Sequence, residues 1–408
     1  MRRGSNLHAL GGFNQTVVFD TIRRAVDGLS RVEIAQKTGL SAQTVSNVAR
    51  RLLDSGAIRE AGIQNLGVGK PRTILQLDPA GHFAIGVHID PAVITYVLLN
   101  IAGDVLFHAA AHTPSAADPD AVIMAMRDSI NTLIVDSGVD RGRVLGVGIA
   151  SPGPIDVEQG IVLDPPLLPH WHGVALRREL EKATGFFVLL EKDVTAAAVA
   201  ELWKNQEHER DDFLFFYYGT GVGAGLVLGG EALRGPTSNA GDVGHVVVDT
   251  NGPVCRCGRT GCLGDAVSPE AIVQAAIDHG LLDASPDHLD AAAIDGCFTR
   301  LAALADSGDP TATGLLEGVA RHLASAIVTL ANLLDLSLIV FGGPYWAAVS
   351  RFMLERLPHL VEASASLVTT RPLVVVTSAI GDDVAAVGAA CLVLDATLTP
   401  RSSTLFIA

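Results

Sequence analysis

Residues 28–58 read GLSRVEIAQKTGLSAQTVSNVARRLLDSGAI, and this stretch predicts two short helices separated by a tight turn. Ser30 and Glu33 stand three residues apart at the start of the first helix, which is the spacing of a capping box. Gly39 ends that helix. Helix, glycine turn and second helix are the parts of a helix-turn-helix.

The second helix is predicted from Ala42 to about Asp54, with Ser41 as its N-cap. One face is apolar and carries Val45, Val48, Ala49, Leu52 and Leu53. The opposite face carries Gln43, Thr44, Asn47, Arg50 and Arg51. Amides and hydroxyls read base edges, and guanidinium groups contact phosphates, so this face is predicted to bind duplex DNA. The alternative is a three-helix lid with a solvated polar face.

A β-hairpin is predicted directly after that helix, over residues 58–77, with Gly67-Val68-Gly69-Lys70-Pro71-Arg72 between its strands. Lys70 and Arg72 are predicted to lie beside phosphates or in the minor groove. Residues 14–27 have apolar residues at helical spacing and predict a helix upstream. Residues 1–78 are therefore predicted to form a winged helix-turn-helix domain.

The charge balance sets this head apart from the rest of the chain. Residues 1–78 hold 11 Lys and Arg against 6 Asp and Glu, a balance of +5. The remaining 330 residues hold 18 against 38, a balance of −20, within a net charge of −15. We expect only the head to approach a polyanion.

Composition indicates a folded chain of two or three domains, with 408 residues, 49% of them apolar and 18% charged. The longest apolar stretch, near residues 323–334, is too short to span a membrane. The N-terminus lacks the apolar segment and cleavage site of a secretory signal. We expect a soluble, cytoplasmic protein with no membrane partner.

Two segments of the body share one plan, in which three strands are joined by tight turns and followed by helices. The predicted strands are 83–87, 94–100 and a third after Gly103-Asp104, and then 213–218, 224–228 and 232–233. Two such halves predict an α/β pair of lobes around a cleft. The turn Gly219-Thr220-Gly221-Val222-Gly223 could present amides and a hydroxyl to a phosphate, or could simply close a hairpin.

A metal motif follows in the second half. His245 precedes Cys255, Cys257 and Cys262 in a His-x9-Cys-x-Cys-x4-Cys pattern. One imidazole and three thiolates fill the four positions of a closed tetrahedral site, so we predict a structural Zn²⁺. The alternative is a group of buried thiols without a metal. Cys297 and Cys391 stand apart and are predicted to be core thiols.

These residues together resemble the ROK family of repressors, open reading frames and sugar kinases, specifically its winged-helix repressor branch. Besides residues 28–58, the matching stretches are GVGKPRT (67–73), GVGIASPGPIDVEQGIVL (146–163), LEKDVTAAAVAELW (190–203), GTGVGAGLVLGG (219–230), AGDVGHVVVD (240–249), CRCGRTGC (255–262) and IVFGG (339–343). The resemblance implies a two-lobed, actin-like ATPase body, with lobes over residues 79–200 and 201–408. It also implies a zinc held by one histidine and three cysteines, and a homodimer or homotetramer.

The sequence differs from the family's kinases at the phosphate-binding loop, and this difference favours a regulator over an enzyme. The family's Asp-x-Gly-Gly-Thr phosphate loop corresponds to His88-Ile89-Asp90-Pro91-Ala92, which lacks both glycines and the threonine. Proline removes an amide donor, so we expect no nucleotide phosphate cradle here. Asp193 matches the family's catalytic base, but without the loop it is predicted to be vestigial.

The sugar site that the resemblance implies is altered as well. Lys192 stands at the position of the family's Asn, Asp242 replaces a Glu, and Asp265 lies beside Gly264, where the family has a Glu. Ser151, Lys192, Asp193, Asp242, His245 and Asp265 are the predicted effector-binding residues. For Lys192 two other roles stay open, a salt bridge to Asp193 or Asp242 and a solvated side chain.

The sequence therefore predicts a transcriptional regulator, a repressor of carbohydrate-related genes, whose kinase-like body senses a sugar or sugar derivative and is not itself a kinase. The alternative is an ATP-dependent sugar kinase that carries a DNA-binding head. A third reading is a regulator that has lost its ligand and responds to a protein partner.

Overall fold

The computed structural model describes residues 7–64, 71–90, 93–113, 118–166, 168, 170–204, 211–283, 289–368 and 370–398. The chain divides into two units, Met1–Glu191 with Ala386–Ala408, and Lys192–Ala385.

The head begins the first unit with three helices and a small antiparallel sheet. Its elements are α1 Leu7–Arg23, β1 Leu29–Ser30, α2 Arg31–Thr38, α3 Ala42–Asp54, β2 Ile58–Gln64 and β3 Arg72–Leu77. The strand order is β1-β3-β2, and Ile58 pairs with Leu77 while Gln64 pairs with Arg72. The predicted hairpin is confirmed in its strands, and Lys70 lies outside the described residues.

Local capping interactions set the ends of α2 and α3. The Glu33 carboxylate accepts the Ser30 backbone N–H at 2.8 Å, and Ser30 Oγ accepts the Glu33 N–H, which confirms the capping box. Gly39 ends α2 in the left-handed conformation with φ of +69°. Ser41 Oγ accepts the Thr44 N–H at 3.1 Å, and α3 has its predicted bounds.

The first helix differs from its prediction over residues 14–27, because it begins earlier, at Leu7, and ends earlier, at Arg23. Its end is decided by a strand far along the chain. Leu29 pairs with Leu75 in β3, which requires extended backbone at residue 29. Gly28 makes the connection at φ of +75°, where an added Cβ would lie 2.6 Å from the Leu75 carbonyl oxygen.

The rest of the first unit is built on a five-stranded sheet of order β10-β7-β4-β5-β6. Its strands β4, β5 and β6 form an antiparallel meander, and β7 runs parallel to β4. Helices and a small hairpin follow these strands. The elements are β4 Phe83–Ile89, β5 Val93–Asn100, β6 Val105–His112, α4 Pro119–Ser137, a 3₁₀ turn Arg141–Arg143, β7 Val144–Ser151, β8 Ile155–Asp156, β9 Ile161–Val162, α5 Leu176–Thr184 and β10 Val188–Lys192.

The second unit repeats this plan with a sheet of order β13-β12-β11-β14-β15. The strands β11, β12 and β13 form the meander, and β14 runs parallel to β11. The elements are α6 Asp193–Lys204, β11 Phe213–Tyr218, β12 Val222–Leu228, β13 Glu231–Ala232, α7 Leu263–Ala266, α8 Pro269–Asp278, α9 Ala291–Asp306, α10 Pro310–Leu334, β14 Leu338–Gly342, α11 Pro344–Glu362 and β15 Val374–Thr377. The last helix, α12 Val384–Leu398, begins at the end of this unit and lies mostly in the first. The predicted duplication of an α/β body is confirmed.

The unit boundaries differ from the predicted lobes 79–200 and 201–408. The second unit already begins at Lys192, because α6 packs directly on β12, where a Cβ at Gly225 would lie 2.3 Å from the Val194 carbonyl oxygen. From Ala386 onward α12 belongs to the first unit. It lies against β7 so closely that a Cβ at Gly148 would lie 1.9 Å from the Ala389 carbonyl oxygen.

Among the described helices, α10 is long and apolar enough, by length and composition alone, to cross a membrane. More than half of its most apolar part is buried inside the protein. Its inward residues, among them Leu316, Leu323 and Ile327, are fully buried in the core of the second unit. Burial of this kind is typical of the central helix of a folded domain.

Candidate functional site

The polar face of α3 is exposed, as the sequence predicts. Val45, Val48, Ala49 and Leu52 are at most 1% exposed and form the inner face, and Leu53 is half-buried. Gln43, Asn47, Arg50 and Arg51 are exposed, and Thr44 is half-buried. Gln43 Nε2 donates to Asn47 Oδ1 at 3.1 Å, so the two amides form a connected pair on the helix surface.

Arg72 is half-buried at the first residue of β3. The pKa of Glu33 is lowered, first by its hydrogen bonds from Ser30 and then, to a smaller extent, by the positive charge of Arg72. Arg72 therefore lies close enough to the start of α2 to act on this carboxylate. Its role at phosphates stays a prediction.

The four predicted metal ligands converge. The ligand atoms of His245, Cys255, Cys257 and Cys262 all lie within 4.8 Å of one another. His245 Nδ1 lies 3.5 Å from Cys255 Sγ, and Cys257 Sγ lies 3.6 Å from Cys262 Sγ. One imidazole and three thiols in a group of this size fit a tetrahedral zinc ion.

The backbone around the cluster is shaped for close turns. Gly261 has φ of +71°, and an added Cβ would lie 1.4 Å from the Asp249 carbonyl oxygen, so only glycine fits. The Arg259 guanidinium donates to the His245 carbonyl oxygen at 3.3 Å. The Arg259 backbone N–H lowers the pKa of the Cys257 thiol and so favours the thiolate that binds metals.

Asp265 lies beside this cluster. Its carboxylate accepts a hydrogen bond from the Cys255 thiol, which raises the pKa of that thiol to about 12. The residue predicted to bind effector thus also contacts a predicted metal ligand. The sequence places the two residues ten positions apart and gives no indication of this contact.

Lys192 is buried, with 8% of its surface exposed, so its reading as a solvated side chain is wrong. Its Nζ donates to the carbonyl oxygens of Asn239 and Ala240, both at 3.2 Å. These bonds attach the start of α6 to the loop that leads into Asp242. The sequence gives no indication of these contacts with Asn239 and Ala240, because every residue type has a backbone carbonyl.

The other predicted effector residues are distributed over both units. Asp193 is the first residue of α6, and its Oδ1 accepts the Val194 N–H at 2.7 Å. Asp242 is exposed and stands three residues before His245. Ser151 lies in the first unit, fully buried at the end of β7, where its hydroxyl donates to the Pro152 carbonyl oxygen at 3.2 Å. Its part in effector binding stays a prediction.

The turn at the position of the family's phosphate loop and the glycine turn after β11 both make internal hydrogen bonds. The Asp90 N–H donates to the Val93 carbonyl oxygen at 3.2 Å, and the Asp90 carbonyl accepts from Thr113 Oγ1 at 2.8 Å. Pro91 and Ala92 lie outside the described residues. In the turn between β11 and β12, the Gly219 N–H donates to the Gly221 carbonyl oxygen at 3.0 Å, as in a hairpin.

A relative and a solved structure match this chain over almost its whole length. The putative xylose repressor of Caldicellulosiruptor sp. (strain Rt8B.4) is 26% identical over 369 residues, which cover 90% of this chain and 92% of that protein. The crystal structure of a ROK family transcriptional regulator, a homologue of the E. coli MLC protein, has 26% identity and a TM-score of 0.79. The match covers 96% of this chain and 98% of that one.

An enzyme matches only part of the chain. The glucokinase of Thermotoga maritima is 35% identical over 207 residues, which cover 48% of this chain and 63% of the enzyme. The family model that describes the ROK family matches residues 84–396, which include both five-stranded sheets and the cysteine cluster. This chain belongs to the ROK family.

Proposed function

We propose that this protein is a transcriptional repressor of carbohydrate-related genes, which binds duplex DNA through its head and senses a sugar or sugar derivative through its body. The observation that carries the proposal is the exposed polar face of α3 on a capped helix that stands in front of a ROK body. The relatives that match this chain over almost its whole length are a putative repressor and a transcriptional regulator, while the glucokinase matches only part of the chain, which supports the proposal.

In this proposal the head is a winged helix-turn-helix. The helices α2 and α3 supply the helix-turn-helix, and the hairpin of β2 and β3 supplies the wing. Gln43, Thr44 and Asn47 contact base edges, and Arg50, Arg51, Lys70 and Arg72 contact phosphates. A homodimer or homotetramer presents two such heads to a two-fold symmetric operator in the cytoplasm.

The body binds zinc and effector in adjacent segments. Zinc at His245, Cys255, Cys257 and Cys262 would hold the loop that carries Asp242, with Asp265 in contact with the cluster. The carboxylates of Asp193 and Asp242 accept hydrogen bonds from hydroxyl groups of a polyhydroxylated ligand. Lys192 holds the loop in place through two backbone carbonyls.

The base-reading residues provide the test of this function. Asn47→Ala is expected to weaken binding to a specific duplex by about 1–3 kcal/mol, or about five- to 150-fold, because a good amide contact to a base is lost. Fluorescence anisotropy would measure affinity for two duplexes, one that the wild-type chain selects from a random-sequence pool and one that is unselected. Asn47→Ala should lower the affinity for the selected duplex only. Arg51→Ala should weaken both and reduce the salt slope by about 1.

Gln274→Ala in α8 is a matched control, because Gln274 Nε2 donates to Asp278 Oδ1 at 2.9 Å in the same i,i+4 arrangement as Gln43 and Asn47. This variant should bind both duplexes like the wild type. Equal losses on the selected and unselected duplexes with Asn47→Ala would contradict base reading by α3.

A sugar kinase is the second candidate, and Asp193 at the start of α6 favours it. Against it, the Asp90 backbone N–H and carbonyl are both used within the chain, where the kinases have a phosphate loop. We expect no phosphorylation in an assay of ATP with a panel of hexoses. Turnover that is lost in Asp193→Asn would establish the kinase instead.

A further inference from the structure

We infer that residues 78–82, held by Arg143, form a rigid link through which the first five-stranded sheet sets the orientation of α3. In this link Gly81 and His82 are positioning residues for DNA recognition. The inference rests on the proposed DNA-binding function and adds how the body controls the head.

On the head side, the link is bonded to the residues that directly follow α3. The Asp78 N–H donates to the Ala57 carbonyl oxygen at 3.1 Å. His82 Nε2 lies 2.8 Å from the carbonyl oxygen of Ser55, the C-cap of α3. Because a carbonyl only accepts hydrogen bonds, Nε2 is the protonated nitrogen in this contact.

Gly81 brings the two backbones together. An added Cβ at Gly81 would lie 1.9 Å from the Gly56 carbonyl oxygen. The atom in the way belongs to the backbone, so no side-chain rotation can relieve the overlap, and the end of α3 would have to move.

On the body side, the link is bonded to the start of two neighbouring strands. Arg143 donates from Nη1 to the Ala80 carbonyl oxygen at 2.8 Å, and Arg143 directly precedes β7. His82 directly precedes β4, and Phe83 pairs with Val144 at the start of the parallel ladder. The end of α3 is thereby connected to the neighbouring strands β4 and β7 in the interior of the sheet.

The link also has its own internal bonds. The Gly81 N–H donates to the Asp78 carbonyl oxygen at 2.9 Å, and the Ala80 N–H donates to Asp78 Oδ1 at 3.2 Å. A turn bonded in this way has little freedom to lose when DNA binds. A displacement of β4 or β7 would therefore move α3 as well.

Gly81→Ala tests the link in the full-length chain. The backbone of Gly81 is outside the left-handed region, so alanine acts mainly through the contact with Gly56 and, less closely, through the Asp78 carbonyl oxygen at 3.2 Å. We expect affinity for the selected duplex to fall about tenfold, because the heads of one oligomer are no longer pre-oriented for simultaneous binding. Affinity for an unselected duplex should stay unchanged, because binding to such a duplex does not require the two heads to have a fixed orientation.

Arg143→Ala tests the same link by removing its hydrogen bond from the body. It should produce the same selective loss, and the double variant should lose no more than either single variant, because both substitutions act on the same link. Arg127→Ala is the matched control, since it removes the same charge from the first unit and its guanidinium pairs with the adjacent Asp128 at 2.6 Å. Thermal unfolding of each variant would show that the fold is retained.

The possible results distinguish failure of the proposed link from failure of the proposed DNA-binding function. A wild-type chain that selects no sequence from the pool overturns DNA recognition itself and the link with it. If the wild type selects a sequence, two results overturn the link alone. One is wild-type affinity in Gly81→Ala or Arg143→Ala, and the other is an equal loss on both duplexes, which indicates a damaged head.

Discussion

Cys262→Ser is expected to abolish zinc binding and to unfold at least the segment from His245 to Cys262. Structural zinc contributes apparent binding free energies of about 10–16 kcal/mol in small zinc-finger peptides, and this binding is coupled to folding. Cys262 is fully buried, and a serine oxygen is a poor replacement for a thiolate ligand. Elemental analysis should find one zinc per wild-type chain and none in the variant, and calorimetry should show a lowered melting temperature.

Cys297→Ser provides the matched control, because it is the same substitution at a half-buried cysteine in α9, outside the cluster. It should keep its zinc. The zinc assignment would be wrong if metal-replete wild-type protein contained none, or if Cys262→Ser bound zinc and melted like the wild type.

Asp193→Asn is expected to abolish the response of DNA binding to a sugar effector. Linkage requires that ligand and DNA change each other's affinity by the same factor, typically about 5- to 150-fold, or about 1–3 kcal/mol. Without ligand binding that factor becomes one. Asparagine keeps an oxygen that can accept the Val194 N–H, so the start of α6 is preserved while the charge is removed.

The measurement titrates a sugar panel into the complex of the chain with its selected duplex, with calorimetry to follow ligand binding directly. Affinity for DNA without ligand should equal that of the wild type, because the head is unchanged. Asp309→Asn is the control, since Asp309 caps α10 through the Thr311 and Ala312 N–H groups in the same unit. This control should respond normally.

A normal response in Asp193→Asn would show that Asp193 is not part of the sensor. If no sugar in the panel bound the wild type either, a protein partner would become the leading explanation for control of the repressor. In both cases the DNA-binding role of α3 would stand unaffected, because it is tested on separate residues.

Interactions between near neighbours could be predicted from the sequence alone. The capping box of Ser30 and Glu33 and the cap of α3 at Ser41 join residues three positions apart, where the helix geometry itself brings the atoms together. The metal cluster was predictable for a similar reason, because the cysteines lie within eight residues and His245 is ten positions from Cys255. Residue type and spacing are sufficient in such cases.

Contacts between distant segments were decided only by the tertiary structure. The end of α1 depends on the pairing of Leu29 with Leu75, and the position of Lys192 depends on carbonyl oxygens 47 and 48 residues away. The link of Gly81 to Gly56 is likewise a contact between two backbones. Every residue except proline has the same backbone donor and acceptor, so the sequence does not indicate which of these groups will form contacts. That is settled only when the sheets and helices pack together.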